Sequence, residues 1–114
     1  MMNNDIRTCN PDCPYEVALN IIGGKWKGFI IFHLWNSTRR FSELQRLIPN
    51  VTQRMLTKQL RELEGYKIIK RTVYSEVPPR VEYSLTETGT SIKPVLEAIE
   101  KWGIKYIQEQ EKSM

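Results

Sequence analysis

Directly after Pro14, apolar residues recur at helical spacing at Tyr15, Ala18, Leu19 and Ile22. This i, i+3, i+4, i+7 pattern predicts an amphipathic helix, which Gly23-Gly24 ends. The next run, from Lys25 to about Trp35, carries Trp26, Phe29, Ile30, Ile31, Phe32, Leu34 and Trp35. A helix that is apolar around nearly its whole circumference belongs at the buried centre. A short third helix is expected from about Ser42 to Ile48. There Ser42-Glu43-Leu44-Gln45 fits a capping box, in which two side chains satisfy each other's free backbone donors. Pro49-Asn50-Val51 breaks that pattern. Thr52 then caps a fourth helix over 52–64, with Val51 and Leu56 spaced for a hydrophobic staple.

The period changes after this helix. Ile69–Tyr74 and Val81–Leu85 are rich in β-branched and aromatic residues and read as two strands. Between them Pro78 and Pro79 cannot donate ladder hydrogen bonds, so they belong at a hairpin tip or an exposed edge. From Thr86 to about Glu111 helical periodicity returns, with an apolar stripe at Ile92, Val95, Leu96, Ile99, Trp102 and Tyr106. One helix kinked at Pro94 is expected, about 39 Å long at 1.5 Å per residue. That exceeds what one small domain can cover, and a homodimer would bury the remainder. The predicted architecture is α+β and mostly α: a winged helix-turn-helix with a two-stranded wing and a long terminal dimerisation helix over 86–111. It forms a single domain over 13–114, behind a polar, flexible arm over 1–12.

Composition narrows the function. The chain has 114 residues, 40% hydrophobic and 26% charged, an ordinary globular balance for one domain. No apolar run approaches the ~20 residues that span a bilayer, and the first residues lack the layout of a signal peptide. A cytoplasmic location with no membrane partner is therefore expected, with Cys9 and Cys13 reduced.

Lys and Arg number 17 against 13 Asp and Glu, a net charge of +4. From Arg39 to Arg80 ten residues are basic and four acidic, so the remainder is net acidic. A localised basic region is the footprint of a nucleic-acid binder; a solvated charged surface is the plainer alternative. The fourth helix discriminates. At about 100° per residue, Leu56, Leu60 and Leu63 share one side while Arg54, Thr57, Lys58 and Arg61 occupy the other. A helix packed through leucines and presenting a basic stripe can enter a major groove, where Arg pairs bidentately with guanine and Lys reaches phosphate. A rigid hairpin bearing Arg80 suits a minor groove, whose negative potential attracts guanidinium; pairing of Arg80 with Glu82 or Glu76 is the alternative.

The chain resembles the HxlR-type winged-helix transcriptional regulators, which share the architecture of the MarR group. The resemblance is carried by Cys13-Pro14, by Ile22–Lys27 (IGGKWK), by Arg40–Leu44 (RFSEL) and by Met55–Glu64 (MLTKQLRELE). Its most distinctive part is Arg71–Gly89 (RTVYSEVPPRVEYSLTETG). It implies a homodimeric repressor or activator on a pseudo-palindromic double-stranded operator, dimerised through its first and last helices. It further implies that helix 52–64 enters the major groove and that the hairpin 69–85 is a wing near the minor groove. Ser42, Thr52, Gln53, Arg54, Thr57, Lys58, Arg61, Pro79 and Arg80 form the candidate DNA-binding set, and Lys25 and Arg46 could add phosphate contacts. The family usually has Ser at Thr52 and Gly at Lys67. Without that Gly the turn into the first strand is expected to be built differently.

Cys13 matches a position that some family members use as a thiol sensor of oxidants or electrophiles; an inert cysteine near a dimer seam is the other reading. Cys9, Cys13 and His33 fall short of the four ligands of a structural zinc site, and His33 on an apolar helix reads as a core residue. No metal, cofactor or small effector is specified by any cluster. No Gly-rich phosphate loop, Ser-His-Asp arrangement or carboxylate pair supports an enzyme. A winged helix used to bind protein is the rival reading.

Overall fold

The computed structural model describes residues 13–113; the arm expected over 1–12, with Cys9, lies outside the described residues. In chain order the elements are α1 (Pro14–Ile22), α2 (Lys27–Leu34), α3 (Phe41–Leu47), α4 (Gln53–Gly65), β1 (Ile69–Tyr74), β2 (Arg80–Leu85), α5 (Glu87–Thr90) and α6 (Lys93–Lys112). The core is formed by Ile30, Ile31 and Leu34 of α2, Leu44 of α3, Leu56, Leu60 and Leu63 of α4, and by Ile48, Val51, Ile68, Ile69 and Tyr83 around them. Both staple residues, Val51 and Leu56, are in this cluster. Burial of such side chains contributes about 1.5–3 kcal/mol each.

α2 is central on one face only. Ile30, Ile31 and Leu34 are buried, whereas Phe29 and Phe32 are 54% and 50% exposed. The expectation of a helix buried all round fails because, among the described residues, no element closes over that second face. α1 and α6 contain no buried residue at all.

α3 begins one residue earlier than Ser42. Arg40 is its N-cap residue, and the Glu43 carboxylate accepts the Arg40 amide N–H at 2.9 Å, so the expected Ser42–Gln45 box is not the cap. The cause lies in the preceding segment. Arg39 pairs with Tyr83 of β2, amide to carbonyl in both directions at 3.0 and 2.7 Å. That bridge fixes extended backbone up to residue 40, and the helix starts where it ends. α4 begins as expected, with the Thr52 hydroxyl accepting the Met55 amide at 3.1 Å. Asn50 turns the chain between α3 and α4 at φ 69°, a left-handed conformation that Asn tolerates.

The exit from α4 departs from expectation in an instructive way. Lys67 takes φ 61°. Its amide donates to the Glu64 carbonyl, and the Ile68 amide to the Leu63 carbonyl, both at 3.0 Å. This is a Schellman ending, completed by the buried Leu63 and Ile68. The turn is therefore built in the usual way, with Lys67 in the place glycine normally takes.

β1 and β2 form an antiparallel hairpin in the register Ile69–Leu85 to Tyr74–Arg80. At its base Thr86 donates its hydroxyl to the carbonyls of Lys67 (2.6 Å) and Ile68 (3.0 Å) and accepts the Gly89 amide (3.0 Å). A Cβ at Gly89 would collide with the Ile68 carbonyl oxygen, so this join requires glycine.

The single helix expected over 86–111 is two helices. α5 stops after four residues, and Pro94 stands in the first turn of α6. Proline is accommodated there because its missing N–H needs no intrahelical partner. The chain starts a new helix instead of kinking an old one. α6, with 20 residues, is about 30 Å long.

Candidate nucleic-acid interface

α4 is anchored through Leu56, Leu60 and Leu63, each at most 2% exposed. Its opposite side faces outward. Gln53, Arg54, Thr57, Lys58, Arg61 and Glu62 line one open depression, so five of the nine candidates converge on one surface. The Thr57 hydroxyl donates to the Gln53 carbonyl at 2.8 Å, which sets its rotamer and leaves its lone pairs as acceptors. Thr52 is committed to the cap, and Ser42 is exposed in the first turn of α3.

The wing Arg is not a free tip. Arg80 opens β2, its guanidinium lies 4.1 Å from the centre of the Tyr74 ring, and it meets Glu76 at 3.4 Å. Of Glu76 and Glu82, the partner is Glu76. Pro79 beside it is exposed, and Val77 at the tip is wholly exposed. The stack and the ion pair hold Arg80 along the hairpin.

One polar pair escaped the reading of the sequence. Lys27, in the first turn of α2, is 9% exposed, and its ammonium meets the Glu62 carboxylate at 2.7 Å. The hydrogen bond from Lys27 holds the Glu62 carboxyl below its ordinary range against a desolvation that raises it, with the charges of Lys27 and Lys58 adding to the lowering. A lysine at the head of an otherwise apolar helix is the available signal, since lysines are almost never fully buried unless paired.

His33 is partly buried. Burial, and secondly the charge of Arg39, lower its pKa from 6.5, and the Arg39 Nε–H donates to the His33 carbonyl at 3.2 Å. Cys13 is the residue before α1 and has no exposed surface. Among the described residues no three His, Cys, Asp or Glu side chains come together as metal ligands, and no helix is long and apolar enough to cross a membrane. Lys25 lies over the Trp26 ring at 4.7 Å, and Arg46 is exposed on α3.

Away from α4, Phe29 and Phe32 of α2 share an open groove with Trp26, Trp35, Leu96 and Ile99. The apolar surface continues along α6 through Trp102, which stacks on Tyr106 at 5.4 Å, and Ile107. α1 adds the exposed Tyr15, Val17 and Leu19.

Known proteins share both the sequence and this arrangement. Residues 21–111 match the HxlR-like helix-turn-helix family. The uncharacterized HTH-type transcriptional regulator YdeP of Bacillus subtilis is 55% identical over 94 residues, 82% of this chain and 73% of its own. The redox regulator HypR in its reduced form superposes with a TM-score of 0.81 at 47% identity, covering 87% of this chain and 98% of its own. The reduced form of the transcriptional regulator YodB from B. subtilis gives 0.72 at 40% identity, covering 79% and 89%. The winged-helix architecture, the helix-turn-helix motif and these relatives together show that the chain belongs to the HxlR-like family and is a transcriptional regulator, not an enzyme.

Proposed function

We propose that this regulator acts in the cytoplasm as a homodimer that binds a pseudo-palindromic DNA operator, with α4 in the major groove and the β1–β2 wing beside the minor groove. The observation that carries the reading is the convergence of Gln53, Arg54, Thr57, Lys58 and Arg61 on one open face of a helix whose other face is locked into the core. Ser42 in α3, Thr52 at the cap of α4, and Pro79 and Arg80 on the wing complete the proposed contact surface. The exposed apolar faces of α1 and α6 are assigned to the partner copy, whose two-fold symmetry would set two recognition helices about 34 Å apart.

Fluorescence anisotropy with the intergenic DNA upstream of its own gene, against a scrambled duplex and across a salt series, tests this. Selective binding that weakens with salt is expected. Absence of binding at low salt favours the protein-interaction reading.

A response to oxidants through Cys13 belongs to the same proposal. It is supported by the likeness to HypR, solved in reduced and oxidised forms, and to a diamide-treated YodB. Because Cys13 has no exposed surface, attack at its sulfur requires the atoms that cover it to move aside. Cys13→Ser is expected to abolish any oxidant-induced change in DNA affinity; an unchanged response assigns sensing elsewhere.

A further inference from the structure

We infer that Lys27, which lies on α2 and outside the DNA-facing stripe, is a positioning residue for DNA recognition: it holds the Glu62 carboxylate and so leaves Lys58 available to phosphate. The inference rests on the reading of α4 as the recognition helix.

Its basis is a conflict on the α4 surface. Glu62 lines the same depression as Arg54, Lys58 and Arg61. It is the acidic member of that set, so it opposes a polyanion. Glu62 also follows Lys58 by four residues, one turn along the helix, where opposite charges pair. A Glu62–Lys58 pair would withdraw one cation from phosphate and leave a carboxylate beside the DNA. In the structure Glu62 is instead engaged from behind by Lys27 at 2.7 Å.

Lys27 is poorly placed for any other purpose. It occupies the first residue of α2, where the positive end of the helix dipole disfavours a cation. It is also 9% exposed, so its charge is largely removed from solvent. A nearly buried ammonium at the wrong end of a helix persists only with a partner, and the partner here is on the recognition helix. The pair spans 35 positions of sequence and links the central helix to the DNA-facing one.

Two singles and a double variant test the inference, using the full chain and its operator duplex with affinity measured from about 50 to 300 mM salt. Lys27→Met releases Glu62. Affinity at low salt is expected to fall about tenfold, and the slope of log affinity against log salt to become shallower by about one, the signature of one lost phosphate contact. Glu62→Gln alone is expected to leave affinity unchanged or raised. The double variant Lys27→Met/Glu62→Gln is expected to regain the wild-type affinity and slope, because no carboxylate remains to compete for Lys58.

A purely structural role for the pair predicts that affinity falls only as far as the stability read by thermal melting falls, with the salt slope of Lys27→Met unchanged from wild type, and that result overturns the inference. If Lys27→Met does not fold, as read by circular dichroism, Lys27→Ala takes its place in both comparisons; it offers Glu62 neither charge nor donor. Arg54→Ala separates the two readings. If it lowers affinity while the Lys27 variants do not, only the role of Lys27 fails. If none of these changes affinity, α4 is not the recognition helix.

Discussion

Lys67 shows how much one backbone angle decides. At φ 61° a residue with a Cβ is strained by about 1–2 kcal/mol, yet the Schellman hydrogen bonds and the buried Leu63–Ile68 contact hold it there. Glycine would remove the strain but enlarge the conformational freedom of the unfolded chain, at a cost of about 0.4–1 kcal/mol. The first effect is the larger. Lys67→Gly is therefore expected to stabilise the fold by about 0.5–1 kcal/mol in urea denaturation, and a loss of stability would mean that the Lys67 side chain itself contributes. His33 makes a second residue-scale case, because it is the only histidine in the chain. Burial and Arg39 lower its pKa from 6.5. Between that ordinary value and the lower folded one, the unfolded chain binds a proton that the native chain does not. The stability contributed by a neutral His33 is complete above 6.5 and declines as pH falls through that window. His33→Gln is expected to flatten this part of the stability–pH curve, leaving the carboxylate-driven loss at lower pH.

At the scale of elements, α4 was legible because its two faces differ in chemistry along 13 residues: leucines repeat at helical spacing and the cations fall between them. Its function can be divided residue by residue. Arg54→Ala is expected to cost about 1–3 kcal/mol of operator affinity and relax preference at one base position, as for a bidentate guanine contact. Lys58→Ala is expected to weaken all sequences alike and reduce the salt slope by about one. Equal behaviour of the two would place Arg54 on phosphate as well. The hairpin was legible for a similar reason, since strand-forming residues flank a proline pair. Features made by contacts distant in sequence were not. The start of α3 is set by the Arg39–Tyr83 bridge, 44 positions apart, which leaves no local period. The Lys27–Glu62 pair is equally invisible to a window of one helix. The apolar stripe that runs through Pro94 suggests one kinked helix, whereas the α5–α6 break three residues earlier depends on Thr86 and Gly89 tying the wing base to the Lys67–Ile68 turn.

At the scale of the molecule, the fold leaves apolar surface that none of the described elements covers. Trp102 is 67% exposed and Ile99 54%, on a helix with no buried residue. Phe29 and Phe32 continue that surface onto α2. A face of this kind marks an interaction surface, and the proposed homodimer assigns it to a second copy, which would also set two copies of α4 at a fixed separation. Trp102→Glu tests this at the seam itself. The residue is exposed within one chain, so the change is expected to alter the protomer's own packing by no more than about 0.5 kcal/mol. In the dimer it would set a carboxylate in an apolar interface. Sedimentation velocity is expected to show a dimer for the wild type and a monomer for this variant. Operator affinity should fall by about 10²–10⁴-fold, the loss expected when two linked half-site contacts become independent, while weak binding to a single half-site persists. A variant that stays dimeric with unchanged affinity would remove α6 from the interface and leave α1 as the face that joins the two copies.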